Sequence, residues 1–374
     1  MSDFLPFTRP HIDEPTIANV ATVLRSGWIT SGPKVLELEA ALSDFFGGRR
    51  VRVLSHATAA LEIALRVCGI GPGDEVIVPA LSFVATANVV ARVGARPVFV
   101  DVGLDTRNID VSQVEASLTS RTRAIMPVHF AGLPAELDAI LELARRRGLR
   151  VIEDAAHAMG ASSAGRRIGS FGDIACFSFH ANKNMTTIEG GAIVGGSESE
   201  TAAVERLRFH GLRKLSADEF EVVEPSGKAN MPDVNACIGL GQLPHLAELN
   251  SKRRRLADRY FEQWNAGGAL RLPARGDDGH CWHLFAPLLP VDSGVNRAAF
   301  IKAMEARGIG VGVHYPAMHL FQAYRAMGYR EGQFPNAERI GRETVTLPLF
   351  PAMSLSDVDR VVEATVPSLQ EAKR

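Results

Sequence analysis

The sequence predicts an α/β fold: a mainly parallel central sheet flanked by helices, with a smaller α/β unit towards the C-terminus. Three observations lead there. Short β-branched runs alternate with amphipathic helical stretches between Val51 and Val194, the pattern of βαβ units. After Asp233 the texture changes to a long helical stretch followed by sparser strands. The chain has 374 residues, which at roughly 100–200 residues per domain suggests two domains. We place the division at 245/246, with an N-terminal segment and large domain over 1–245 and a small domain over 246–374.

Each element has a local reason. Ile17, Val20, Val23 and Leu24 share one side of a helix over Glu14–Arg25, and Ser26-Gly27-Trp28 ends it. A second helix covers Val35–Phe45. Strands are expected at Val51–Leu54, Glu75–Val78, Arg96–Val100, Ala124–Val128, Arg150–Ile152, Ile174–Phe177 and Ala192–Val194. Helices are expected over Ala59–Val67, Ala85–Arg92 and Ala135–Arg147. Beyond these, Val234–Trp264 reads as one long helix or two joined ones. Strands near His283–Leu289 and Gly310–His314 and helices over Arg297–Arg307 and Leu355–Leu369 complete the small unit.

Composition excludes several classes. Apolar residues make up 46% and charged residues 22%, so a packed core is expected rather than a disordered chain. The formal net charge is −1, which offers no overall basic field for nucleic acid or an anionic membrane. No apolar run approaches the roughly 18 residues of a membrane span. Met1–Pro10 has neither the basic nor the apolar region of a secretory signal. Cys68, Cys176, Cys237 and Cys281 are widely spaced in apolar surroundings, with no metal or disulfide pattern. A cytoplasmic protein with reduced thiols and no metal is expected.

Four segments carry chemistry, and all fall at expected strand ends, where ligands of parallel sheets bind. In Phe177-Ser178-Phe179-His180-Ala181-Asn182-Lys183 a buried strand leads to a single Lys, one of only seven in the chain. Read alone, Lys183 is as well a solvated loop residue as an amine with a lowered pKa, suited to attack an aldehyde. Asp154 ends Val151-Ile152-Glu153-Asp154, either as a helix cap or as the partner of a protonated pyridine nitrogen. Ser55-His56-Ala57-Thr58-Ala59 turns a strand into a helix whose free N–H groups suit a phosphate, or is a simple cap. Phe83 follows another strand end, as a ring platform or as core.

Together these segments resemble the DegT/DnrJ/EryC1/StrS sugar aminotransferases, a branch of the fold type I enzymes that use pyridoxal 5′-phosphate (PLP). The likeness runs from Phe4-Leu5-Pro6-Phe7 through Ser26-Gly27-Trp28-Ile29-Thr30-Ser31-Gly32-Pro33 to Leu347-Pro348-Leu349-Phe350-Pro351. It implies Lys183 as Schiff-base lysine and proton shuttle, Asp154 as pyridinium partner and His157 beside the phenolic oxygen. It also implies Phe83 as the stacking ring, and Thr58, Ala59 and Ser178 as the phosphate cradle. Lys228 would reach the phosphate from a partner subunit, which makes a homodimer with shared sites. Trp28, Asn230, His314, Tyr315 and His319 are expected to border the substrate. Two departures stand out: Ala57 replaces the usual Gly, and Gly227 and Ala229 replace aromatics that flank the Lys228 position.

The implied reaction moves an amino group from L-glutamate, leaving 2-oxoglutarate, to the C4 ketone of a nucleotide-linked keto-sugar. Met1-Ser2-Asp3-Phe4 and His129-Phe130-Ala131-Gly132-Leu133-Pro134 resemble members that aminate a UDP-4-keto-pentose for lipid A modification and polymyxin resistance. The alternatives are another UDP- or dTDP-keto-hexose for O-antigen or polysaccharide, a PLP-dependent sugar dehydratase, or a non-catalytic regulator. Lys183 disfavours the dehydratase, whose members carry His there. No Gly-x-Gly-x-x-Gly follows the first strand, against a nicotinamide enzyme. Arg208 and Arg213 are unranked candidates for the glutamate carboxylates.

Overall fold

Two helices, α1 (Glu14–Ser26) and α2 (Pro33–Phe45), precede the sheet. Asp13 caps α1 by accepting from the Thr16 N–H, and Gly27 closes it in the left-handed region. There follow β1 (Val51–Leu54), α3 (Ala57–Val67), β2 (Glu75–Pro79), α4 (Ala85–Arg92), β3 (Arg96–Val100), α5 (Val111–Ala116), β4 (Thr122–Ile125), α6 (Leu137–Arg147) and β5 (Arg150–Asp154). A small hairpin, β6 (Ser162–Ser163) and β7 (Arg166–Arg167), leads to β8 (Ile174–Ser178) and β9 (Gly191–Gly195). After α7 (Glu198–Leu207) a second hairpin pairs β10 (Leu212–Lys214) with β11 (Phe220–Val222). The remainder is α8 (Asp233–Gln242), α9 (Leu246–Trp264), α10 (Arg297–Ala306), α11 (Gln322–Arg325), α12 (Pro335–Glu343) and α13 (Leu355–Glu371). This computed structural model describes residues 4–264, 270–290, 292 and 294–373. Met1, Ser2 and Asp3 of the opening segment lie outside the described residues.

Seven strands form one sheet in the order β1-β9-β8-β5-β4-β2-β3. From β3 to β8 all neighbours are parallel, and β9 runs antiparallel to both β8 and β1. The expected α/β fold with a mainly parallel sheet is therefore the fold observed. Helices cover both faces, which is why strands such as Val76-Ile77-Val78 read as unbroken apolar runs. Val76 and Val78 pack on one face with Leu61 and Val89, and Ile77 packs on the other with Leu42 and Ile140. A third core gathers Tyr260, Trp264, Phe285, Phe300, Leu347 and Val358, and Leu5 from the opening segment joins it.

Two expected strands do not form. His283–Leu289 and Gly310–His314 are extended but make only isolated bridges, such as Phe285 with Leu347 and Gly312 with Thr346. Trp282 sits at φ 49°, which ends the extended run on that side, and Pro287, between the bridges at Phe285 and Leu288, has no N–H to give the ladder, so the pairing stays broken into single bridges. The helical stretch after Asp233 is two helices joined by a 3₁₀ turn at Leu243–His245, where Pro244 removes a donor.

One contact fixes the loop before α2. Gly32 offers no side-chain cap, and the buried Asp233 carboxylate takes its place, accepting from the N–H groups of Gly32, Lys34 and Val35 at 2.8, 3.1 and 2.9 Å. A Cβ on Gly32 would lie 2.7 Å from that carboxylate, so only glycine allows the approach.

Candidate active site

The carboxyl ends of β1, β2, β5 and β8 meet at a cavity of about 280 Å³. At β1 the chain turns straight into α3. His56 is the helix N-cap, its Nδ1 accepting from the Ala59 N–H at 3.0 Å. The N–H groups of Ala57 and Thr58 have no acceptor among the described residues and sit on the cavity wall. Ser178 stands opposite on β8; its oxygen accepts from the His180 N–H, which leaves the hydroxyl proton free for the cavity. Gly191 of β9 allows this arrangement, because a Cβ there would come within 2.6 Å of the Ala57 nitrogen.

Asp154 ends β5 and is buried, 5% exposed. Its Oδ2 accepts from the Thr86 hydroxyl at 2.7 Å and its Oδ1 from the Ala156 N–H at 3.2 Å. Burial raises its pKa, while these two donors and Lys183 oppose the rise. The loop after β8 folds back on itself through Phe179, whose N–H reaches the Gly190 carbonyl and whose carbonyl accepts from the Thr187 N–H, both at 2.8 Å. Phe179 and Met185 anchor it in the core. Lys183 projects from this loop into the cavity, and enclosure of its amine lowers the pKa to about 8, with Asp154 pulling the other way. An amine that loses its proton far more readily than an exposed lysine thus shares the cavity with a buried carboxyl group.

Neutral rings complete the wall. His157 Nδ1 accepts from the Ala131 N–H at 3.3 Å, and its Nε2 lies 3.3 Å from the Tyr315 hydroxyl. Burial, then the Lys183 charge, holds His157 well below the usual histidine range. The same two causes bring His314 to about 4. His314 hydrogen-bonds Thr346 Oγ1 at 2.8 Å and stacks on Phe7 at 5.2 Å between ring centres. Phe83 stands half exposed at the cavity mouth, 5.7 Å from the Tyr315 ring.

The DegT/DnrJ/EryC1/StrS aminotransferase family matches residues 10–366. The chain belongs to this family. It is 43% identical to a UDP-4-amino-4-deoxy-L-arabinose–oxoglutarate aminotransferase of Shewanella sediminis, over 97% of both chains. Spr1654 of Streptococcus pneumoniae, solved in PLP and PMP forms, is 34% identical in the PLP form with a TM-score of 0.93, covering 99% of each chain. Helicobacter pylori PseC, an aminotransferase of pseudoaminic acid biosynthesis, is 27% identical with a TM-score of 0.93, over 99% of this chain and 100% of its own. The protein is a sugar aminotransferase that uses PLP. Its cavity fits that cofactor: unpaired N–H and hydroxyl donors gather at one end, as a phosphate requires, and a buried carboxylate and an amine suit the ring and the aldehyde.

Of the residues singled out from the sequence, Thr58, Phe83, Asp154, His157, Ser178, Lys183, His314 and Tyr315 line this one cavity. Ala59 is adjacent, but its N–H is taken by the His56 cap and the free donors are those of Ala57 and Thr58. His319 does not reach the cavity. It is fully buried, with Nε2 3.0 Å from Glu338 Oε1 and its ring against Phe334. Trp28 is largely exposed and stands over Gly32. Asn230 donates to Ser31 Oγ at 2.6 Å, and Lys228 is exposed beside Phe209, neither of them on this chain's own cavity. Arg208 is held by Glu39 and the Val53 carbonyl, and Arg213 by Glu221, also away from it. Sequence reading passed over His56 and His283. The former carried a signal, a side-chain acceptor three residues before Ala59; the latter is one imidazole inside an apolar run, Cys281-Trp282-His283-Leu284-Phe285.

Proposed function

We propose that this enzyme transfers an amino group from L-glutamate to the C4 ketone of a nucleotide-linked keto-sugar. The substrate of first choice is a UDP-4-keto-pentose, giving UDP-4-amino-4-deoxy-L-arabinose for lipid A. The near full-length identity to the Shewanella sediminis aminotransferase supports this choice of sugar. The observation that carries the chemistry is the enclosed, readily neutral amine of Lys183 sharing a cavity with the buried Asp154 carboxylate.

Bound PLP supplies an aldehyde that takes up the amino group and a ring that withdraws electrons from the reacting carbon. Asp154 would face the pyridine nitrogen and keep its proton in place. The N–H groups of Ala57 and Thr58 and the Ser178 hydroxyl would hold the phosphate. Phe83 would cover the ring face, and His157 would stand beside the phenolic oxygen. With the cofactor bound, Lys183 Nζ would take the proton from the glutamate Cα in the first half-reaction and would deliver a proton to sugar C4 in the second. His314 and Tyr315 border the sugar. Lys228 of a second copy completes the phosphate site in a homodimer, and the large and small domains divide at 245/246. We place the enzyme in the cytoplasm, which its four free cysteines support.

The test is a visible spectrum of the purified protein with PLP. The aldehyde band is expected to convert on adding L-glutamate and return on adding 2-oxoglutarate, and amination of the UDP-4-keto-pentose should follow by mass spectrometry. Lys183→Ala is expected to lose at least about 100-fold in turnover. A band indifferent to glutamate, or normal turnover in that variant, overturns the reading.

A further inference from the structure

His283 is a buried titratable group beside the cavity that this chemistry leaves unused, and any role for it rests on Lys183 being the reactive amine. We propose that His283 is a positioning residue: a neutral imidazole whose Nε2 lone pair holds one N–H of Lys183 and so aims the amine's own lone pair into the cavity.

The tautomer follows from hydrogen bonds that start at an unambiguous acceptor. The Asn184 side-chain NH₂ donates to the Cys281 carbonyl at 2.8 Å and to Asn250 Oδ1 at 2.8 Å. Asn250 is itself fixed, its NH₂ donating to the Met159 carbonyl at 3.1 Å. With its NH₂ so committed, Asn184 turns its Oδ1 to His283, 3.0 Å from Nδ1. An amide oxygen only accepts, so Nδ1 carries the imidazole proton and Nε2 carries the lone pair. That lone pair faces Lys183 Nζ at 3.5 Å, a long contact of the kind that catalytic groups show before ligands bind.

The ring is also barred from taking a second proton. It is 3% exposed and packs against His157 at 4.4 Å between ring centres. The Arg253 guanidinium donates to the His283 carbonyl at 3.3 Å and to the Leu349 carbonyl at 2.7 Å, which fixes a positive charge nearby. Burial first, then the charges of Lys183, His157, Arg253 and His314, holds the imidazole well below its usual range. The titratable and charged groups facing the pair are Asp154, His157, His314, Tyr315 and Arg253. His283 can therefore accept from Lys183 and cannot act as an acid towards it.

A hydrogen bond from an ammonium is stronger than one from an amine, so the contact favours the protonated lysine. Burial lowers the Lys183 pKa and Asp154 opposes the fall; an acceptor on His283 would oppose it further. Removing the acceptor should make the amine badly aimed and, at the same time, easier to deprotonate. A loss that is merely structural would slow the reaction without moving its pH limb.

The experiment compares His283→Asn, which keeps a donor for Asn184 but places no acceptor at the Nε2 position, with His283→Gln, which restores one. Full-length protein stripped of cofactor is mixed with PLP at a series of pH values. Lys183 Nζ then forms a bond to the aldehyde carbon, and the carbonyl oxygen leaves as water with the two amine hydrogens. The rate is read by absorbance, and the site by borohydride reduction and mass spectrometry. His283→Asn is expected to slow capture about 100-fold and to move the acid limb to lower pH. It should lower kcat of the glutamate half-reaction with little change in KM. His283→Gln is expected to recover the rate to within about 10-fold and return the limb. A wild-type rate and limb in His283→Asn, or equal slowing of both variants with an unmoved limb, overturns the proposal. Lys183→Ala separates the two readings: reduced PLP found on another lysine would defeat the assignment of Lys183 itself, whereas loss of trapping there with a wild-type His283→Asn defeats only the role of His283.

Discussion

The role proposed for Asp154 requires it to stay charged in a place that opposes charge. Burial raises its pKa, and the Thr86 hydroxyl, the Ala156 N–H and the Lys183 charge bring it back down. The Thr86 contact, at 2.7 Å to Oδ2, is replaceable without a change of shape, because valine keeps the outline and loses the donor. A hydrogen bond to a charged group contributes about 1.5–3 kcal/mol, and one pKa unit corresponds to about 1.4 kcal/mol. In Thr86→Val the carboxyl should hold its proton to higher pH, because a donor that lowers its pKa is gone. If the carboxylate is the form that keeps a pyridine nitrogen protonated, the acid limb of kcat moves up with it. A pH–rate profile checks this, and an unmoved limb would mean that the Thr86 bond does not tune Asp154. Lys183 and Asp154 were legible in the sequence because Asp154 ends one apolar strand and Lys183 lies on the loop that follows another, on the side where a parallel sheet puts its ligands. His283 was not legible, because what gives it meaning is Asn184, 99 residues away, and the backbone that fixes that amide. His319 shows the converse. Likeness placed it at the substrate, but Glu338 and the Phe334 ring take it into the core.

Among the elements, the junction of β1, α3 and β9 sets the shape of the phosphate end. Gly191 pairs with Leu54 across the ladder and lies so close to the start of α3 that a Cβ would stand 2.6 Å from both the Ala57 nitrogen and the His56 carbonyl carbon. These are backbone atoms, so no side-chain rotation relieves the clash; the strand or the helix start must move. Overpacking of this kind typically costs about 1–3 kcal/mol. Here the displaced atoms include the free N–H groups of Ala57 and Thr58, so Gly191→Ala should weaken PLP binding by about 10-fold or more, since about 1.4 kcal/mol is tenfold. Absorbance titration of PLP measures it, and an unchanged dissociation constant would show that the cradle does not depend on this approach. The strand–helix alternation of the sheet region was readable because each element carries its own period. Four helices escaped, α5, α7, α11 and α12, although α7 had a signal: Ser197 and Glu200 form a reciprocal capping box. The two strands wrongly expected near the C-terminus were apolar enough to be strands. Proline at 287 and the positive φ of Trp282 keep the first of them from pairing at length.

On the scale of the whole molecule, the described surface carries an apolar projection at a hairpin. Phe209, Leu215, Phe220, Val222 and Val223 are all exposed, and all lie on or beside the β10–β11 hairpin. A two-stranded hairpin is marginal in water by itself, and apolar side chains gathered on one are a mark of an interface. Lys228, which does not line this chain's own cavity, lies on the segment that leaves the same hairpin and makes an isolated bridge with Phe209. The proposed homodimer accounts for both facts at once: the second copy covers the apolar side chains and receives Lys228 at its phosphate site. Replacing Phe220 and Val222 together by Asp removes apolar area and adds two charges that an apolar interface cannot solvate. The double variant is expected to sediment as a monomer and to bind PLP at least about 10-fold more weakly, because each site loses the cation from the other chain. The two readouts separate the parts of the idea. A monomer that keeps its affinity for PLP would leave the hairpin as the interface and remove Lys228 from the site. A dimer that survives both charges would place the interface elsewhere, and the exposed rings of the hairpin would then need another partner.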